Sequence, residues 1–258
     1  MRKLMLVVCA FAFTLSSCGR QVTPNRTGAG ANGLQAGQMQ IKVTTQGQLD
    51  FVNNWYVVPF NLHCASSPQN CEPYAINGTN ANNWLNWDFE LVVFQPNVAS
   101  PLQTAFYQFV TPQSGPNTTQ KTPVLLNNYS RQDVVVNPNC NGTNTQFCVT
   151  LNRRIFNGLP STLPNPTPAP TNGPGGTWFV NWLVASPQGA PTGQVGQVLF
   201  APGVGGLTDQ TFQFPSGSPG IDVTTHFDQQ WLAQPSPPWM QAGNAAAQIT
   251  GGEVINNP

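Results

Sequence analysis

An all-β, antiparallel β-sandwich, immunoglobulin-like or jelly-roll-like with long Pro/Gly/Asn-rich loops, is the fold class this sequence predicts. Three observations point there. Apolar residues alternate at period two in one segment after another. Clusters of Pro, Gly and Asn separate those segments, with 25 Pro and 24 Gly in 258 residues. Beyond the N-terminal stretch no window carries a helical 3.6 period, and Phe227–Ala233 is long enough for a helical turn only.

The strands follow in order. Met39, Ile41 and Val43 alternate with Gln40, Lys42 and Thr44, a strand with one buried face. Asp50–Leu62 holds Trp55-Tyr56-Val57-Val58, apolar on both sides as in a central strand. In Trp87–Phe94 the residues Trp87, Phe89, Leu91 and Val93 fall on one face, while Asp88 and Glu90 begin the other. Thr104–Val110, Asp133–Val136, Phe147–Leu151, Thr177–Ala185, Val195–Phe200 and Ile221–Phe227 continue the series. Within Thr177–Ala185, Trp178, Val180, Trp182 and Val184 line one face.

Pro160–Pro174 has the composition of a polyproline-like connector. It is read as part of a loop, 160–176, inside one domain, because the segment after it offers too few strands to close a core alone. Residues 235–258 read as a Pro/Gly/Ala-rich C-terminal tail, draped over the sheet through Trp239 or disordered.

Composition excludes some partners. Charged residues are 7% of the chain, against roughly 25% in an average soluble domain. Nine Lys+Arg balance nine Asp+Glu. A nucleic-acid binder needs a basic patch to displace counterions, so no nucleic-acid partner is expected. Hydrophobic residues reach 40%, enough for a core and too many for a solvated disordered chain.

The N-terminus sets the expected location. Arg2 and Lys3 precede an apolar run from Leu4 to Leu15, followed by Ser16, Ser17 and Cys18. The run is shorter than the roughly 20 apolar residues that cross a bilayer. Charge, apolar stretch and small residues in that order have the layout of a secretory signal peptide. Leu15-Ser16-Ser17-Cys18 resembles the lipobox of bacterial lipoprotein precursors. The resemblance implies a diacylglyceryl group on the Cys18 sulfur, cleavage before Cys18 and acylation of the new amino terminus with a fatty acid such as palmitate. The lipid bilayer is then a partner through acylated Cys18. Gly19 stands where Asp would retain such a protein at the inner membrane. The resemblance thus implies the outer membrane in a cell with two, and otherwise the outer face of the cell membrane. Residues 1–17 are the expected signal peptide, 18–38 a lipidated flexible tether, 39–234 the sandwich domain and 235–258 the tail. Without residues 1–17 the chain has seven Lys+Arg against nine Asp+Glu, a net charge of −2.

After Cys9 and Cys18, four cysteines remain: Cys64, Cys71, Cys140 and Cys148. An even number fits an exported, disulfide-bonded chain. Of three pairings, the spacings favour Cys64–Cys71 and Cys140–Cys148, each closing a short loop. A metal site using His63 would need closer Cys pairs, and His226 is the only other histidine. No metal or cofactor is expected.

Catalytic motifs are missing: the chain has no HExxH, P-loop, GxGxxG or GxSxG. Gly217-Ser218-Pro219-Gly220 puts Pro where a nucleophile elbow needs a backbone donor. Asp88 and Glu90 lie about 7 Å apart along a strand, only a loose match to a glycoside hydrolase pair, and a solvated strand face is the preferred reading. Asp222, His226 and Asp228 form a second polar group. Asn-x-Ser/Thr triplets at Asn25, Asn77, Asn117, Asn128 and Asn141 follow from the composition. The run Asn82-Asn83-Trp84-Leu85-Asn86-Trp87 places Trp84 and Trp87 beside Asn83 and Asn86. Exposed Trp beside amides is how a carbohydrate-binding module stacks sugars and bonds their hydroxyls, while core packing explains Trp87 as well. The reading is therefore a membrane-anchored envelope lipoprotein with a non-catalytic interaction or structural role, without an enzyme activity, with an envelope protein or polysaccharide as the partner class. Carbohydrate binding is the alternative and glycoside hydrolysis the third reading.

Overall fold

The computed structural model describes residues 33–62, 87–110, 121–126, 132–140, 142–157, 176–187, 198–200, 212–217, 221–226 and 243–258. Among the described residues thirteen strands run in chain order: β1 Gln38–Thr45, β2 Trp55–Asn61, β3 Phe89–Phe94, β4 Gln103–Val110, β5 Thr122–Leu125, β6 Val134–Asn137 and β7 Gln146–Asn152 come first. A 3-10 helix, Arg153–Asn157, separates them from β8 Thr177–Val180, β9 Leu183–Ala185, β10 Val198–Phe200, β11 Phe212–Pro215, β12 Ile221–His226 and β13 Ile249–Asn257. Among the described residues no helix is long and apolar enough to cross a membrane.

Every pairing is antiparallel, and two sheets result. The first has the order β12-β13-β1-β7-β6. In the second, β2 to β5 form a meander of four consecutive strands, and β8 and β9 share the free side of β2. β11 pairs with β8, and β10 with β9. This is the all-β sandwich of the sequence reading. The four-strand meander is not part of the ABED/CFG immunoglobulin order.

Period-two patterning builds the interior. Met39, Ile41 and Val43 of β1 meet Tyr56, Val58 and Phe60 of β2 and Leu91 and Val93 of β3 in one apolar core. Phe156, carried by the 3-10 helix, plugs one end of it. Its ring lies 4.9 Å from Phe60, 5.5 Å from Phe89, 5.6 Å from Phe106 and 5.0 Å from Trp178. Phe51, Tyr56 and Phe147 close the other with edge-on contacts at 5.1–5.5 Å. Gly252 on β13 admits the Trp182 ring, since a Cβ there would stand 2.9 Å from Cζ2.

A second apolar cluster occupies the other face of the β2–β5 sheet, with Trp55, Val57, Trp87, Val92, Phe94, Tyr107 and Phe109. This sheet is buried on both sides, which is why all seven residues of β2 are buried. Trp87 belongs to this cluster, not to the face of Phe89, Leu91 and Val93 as the alternation suggested. The strand starts only at Phe89, so its alternation does not extend back through the bend at Asp88.

The boundaries at both ends of the sandwich need correction. The expected tail contains β13, which is paired on both sides, between β12 and β1. The expected tether ends earlier than residue 38. Leu34 is buried, Gly37 N–H donates to Asn257 O at 2.7 Å, and Asn257 Nδ2 donates to Leu34 O at 3.0 Å. Residues after 176 supply strands to both sheets. The cysteine pairing Cys140–Cys148 is present, with the Cα atoms 5.8 Å apart. Cys18, Cys64 and Cys71 lie outside the described residues, as does the Phe227–Ala233 segment.

Candidate functional site

Asp88 stands at the place where the chain leaves β2 and returns to β3. Its N–H donates to Phe60 O at 2.7 Å, and its carbonyl accepts from Phe109 N–H at 2.8 Å. Its carboxylate accepts from Leu62 N–H at 2.7 Å through Oδ2 and pairs with Lys121 Nζ at 3.0 Å through Oδ1. Lys121 also donates to Trp87 O at 2.8 Å. One carboxylate therefore ties together the two ends of the segment 63–86 and the start of β5. These charge-assisted bonds occupy both oxygens of the ionised carboxylate.

Glu90, two residues on, is in a different state. It has no exposed surface (0%), and neither carboxylate oxygen has a hydrogen-bond partner. Its strand neighbours are Pro59 on β2 and Tyr107 on β4. Burial pushes its carboxyl well above the usual carboxylate range, so it is held protonated. Asp88 and Glu90 are thus not presented together to solvent: one is committed to a clamp and the other is sealed in the sheet.

The aromatic candidates divide. Trp87 is buried, edge-on to Phe109 at 5.7 Å, in the core position its alternative reading expected. A ring that stacks on a sugar needs an exposed face, which Trp87 lacks. Asn83, Trp84 and Asn86 lie outside the described residues. Asp222 and His226 share one edge strand, opposite Ile255 and Gly251. Four positions along a strand separate them by roughly 13 Å, and Asp228 lies outside the described residues. Among the described residues no three His, Cys, Asp or Glu side chains stand close enough to hold a metal ion.

The chain matches no protein-family model, no curated protein and no solved structure.

One charged residue was missed by the sequence reading. Arg153 opens the 3-10 helix and is buried, with its guanidinium carbon 4.6 Å from the Trp178 ring centroid. Its Nε and Nη1 have no acceptor. Burial lowers its pKa to about 10. The neighbouring Arg154 points outward and grips the buried Asp133 with both fork nitrogens, at 2.6 and 2.9 Å. The alternation of β7 contained the clue. Leu151 faces the core, so carrying period two past Asn152 turns Arg153 inward and Arg154 outward.

The outward face of the β1 sheet is polar. Lys42 and Glu253, directly opposed on β1 and β13, pair at 2.8 Å. Gln40 Nε2 donates to Thr150 Oγ1 at 3.3 Å, and Gln146 Nε2 to Thr44 Oγ1 at 2.8 Å. Amides and hydroxyls bridge neighbouring strands across this face, consistent with a sheet that meets solvent on one side.

Proposed function

We propose that this chain is a lipid-anchored protein of the bacterial envelope, whose sandwich has a non-catalytic interaction or structural role. The observation that carries the reading is the run from Arg2-Lys3 through Leu4–Leu15 to Ser16-Ser17-Cys18. The Cys140–Cys148 bond supports it, because such bonds persist in oxidising compartments. The states of Asp88 and Glu90 favour a structural over a catalytic use of both. Two or three acyl chains at about 0.8 kcal/mol per buried CH₂ suffice for stable attachment. Fourteen residues separate Cys18 from Gly33, a reach of at most about 50 Å. Growing cells that express the wild-type or the Cys18→Ser chain with labelled palmitate tests the reading. The wild-type chain is expected to carry the label and to begin at Cys18, and the variant to carry no label and to keep residues 1–17. An unlabelled wild-type chain, or equal labelling of both, would overturn the proposal.

A further inference from the structure

Among the described residues four edges bound the two sheets, and three carry a feature that discourages strand addition. β5 contains Pro123, β11 ends in Pro215 beside the three-residue β10, and β12 contains Asp222 and His226. β6, Val134-Val135-Val136-Asn137, has neither charge nor proline. Asn152 N–H donates to Asp133 O at 2.7 Å, which fixes the alternation of the β6–β7 ladder. Asp133, Val135 and Asn137 direct their backbone groups toward β7. Val134 and Val136 direct theirs away from the sheet. The Val135 side chain is 49% exposed on the outward face. The strand is also held at both ends, by the Asp133–Arg154 fork before it and the Cys140–Cys148 bond after it. An edge fixed in this way loses little conformational freedom when it gains a neighbour.

We infer that β6 is a self-association edge, on which β6 of a second copy of this chain adds antiparallel about a two-fold axis through Val135. The register follows from the hydrogen-bond pattern. Val134 of each copy meets Val136 of the other, and these are the residues whose N–H and C=O groups point outward. Four main-chain hydrogen bonds form. Val135 meets Val135 at a non-hydrogen-bonded position, where side chains approach most closely, and the two exposed side chains cover each other. Asp133 meets the uncharged Asn137, so no like charges oppose each other. The pairing is isologous and closes as a dimer, joining two five-stranded sheets into one.

Two experiments on the full chain test this. Sedimentation of the wild type over a range of concentrations is expected to show a reversible dimer. Val135→Lys, at an exposed position, is expected to raise the dissociation constant at least about tenfold with no change in melting temperature at dilutions where both chains are monomeric. Val135→Cys is expected to give a disulfide-linked dimer on a non-reducing gel, at a yield at least tenfold above Thr150→Cys on the neighbouring strand. A chain that stays monomeric throughout, a dimer unaffected by Val135→Lys, or equal cross-linking of the two cysteine variants would each overturn the inference. Capture of a different protein at Val135→Cys in place of a second copy would overturn it too.

Discussion

Pro59 and Asn181 face each other across the centre of the larger sheet, joined by one ladder bond: Asn181 N–H donates to Pro59 O at 3.2 Å. The residue sum of each pairing is the same for β2–β8 and β2–β9, as in Phe60 with Val180 and Tyr56 with Val184. The two strands are therefore one extended segment in constant register, interrupted where Pro59 has no N–H to return. Proline in a central strand is unusual, and here the interruption coincides with a fork. β11 continues from β8 and β10 from β9, and the Asn181 side chain accepts Trp182 N–H at 2.8 Å. Constant register also keeps Trp178, Val180, Trp182 and Val184 on the core face.

Asn181→Leu removes the side-chain acceptor of a buried N–H. The expected cost is about 1–3 kcal/mol, read by denaturant unfolding. Faster amide exchange concentrated at Trp182 would identify the fork as the weakened place. Unchanged stability and exchange would show that the Asn181 side chain does not hold it.

Glu90 gives the fold a pH dependence whose sign is fixed by its burial. Its carboxyl is held protonated in the folded chain, while the unfolded chain ionises near pH 4.5. Stability is therefore present in full below pH 4.5 and falls as pH rises toward the folded value, by about 1.4 kcal/mol per pH unit. Glu90→Gln keeps the shape without the proton. It is expected to match the wild type near pH 4 and to exceed it at pH 8. Melting curves at the two pH values measure the difference, and a variant that gains nothing at pH 8 would contradict the assignment.

The clamp at Asp88 predicts an asymmetry. Lys121→Met removes a largely buried ion pair together with one donor to Trp87 O, and should cost about 1–2 kcal/mol. Asp88→Ala also deprives Leu62 N–H of its acceptor, and should cost about 2–3 kcal/mol. Equal losses in the two variants, measured by chemical denaturation, would mean that the bond across the ends of 63–86 contributes nothing.

The strands that were legible in the sequence are those whose apolar beat is unbroken, such as Met39, Ile41 and Val43 in β1 or Phe89, Leu91 and Val93 in β3. Those missed break the beat. Gly251 and Gly252 interrupt β13, and its final Asn256 and Asn257 look like solvated residues although both are buried. Gly252 has a packing reason that pattern reading does not detect, since it makes room for Trp182 from another strand. β5 carries Pro123 and β11 ends in Pro215, and both strands lie at the sheet periphery, where proline is tolerated. Of the candidate sites, the Cys140–Cys148 pair was readable from an eight-residue spacing. The different fates of Asp88 and Glu90 were not, because they depend on Leu62 and Lys121, far away in sequence.

The most direct measurement is the intact mass of the chain recovered from the envelope of the cells that make it. The account predicts a polypeptide beginning at Cys18, heavier by a diacylglyceryl group and an N-acyl chain, and lighter by two hydrogen atoms for each disulfide bond. An unmodified Cys18, or a chain that still carries residues 1–17, would contradict it.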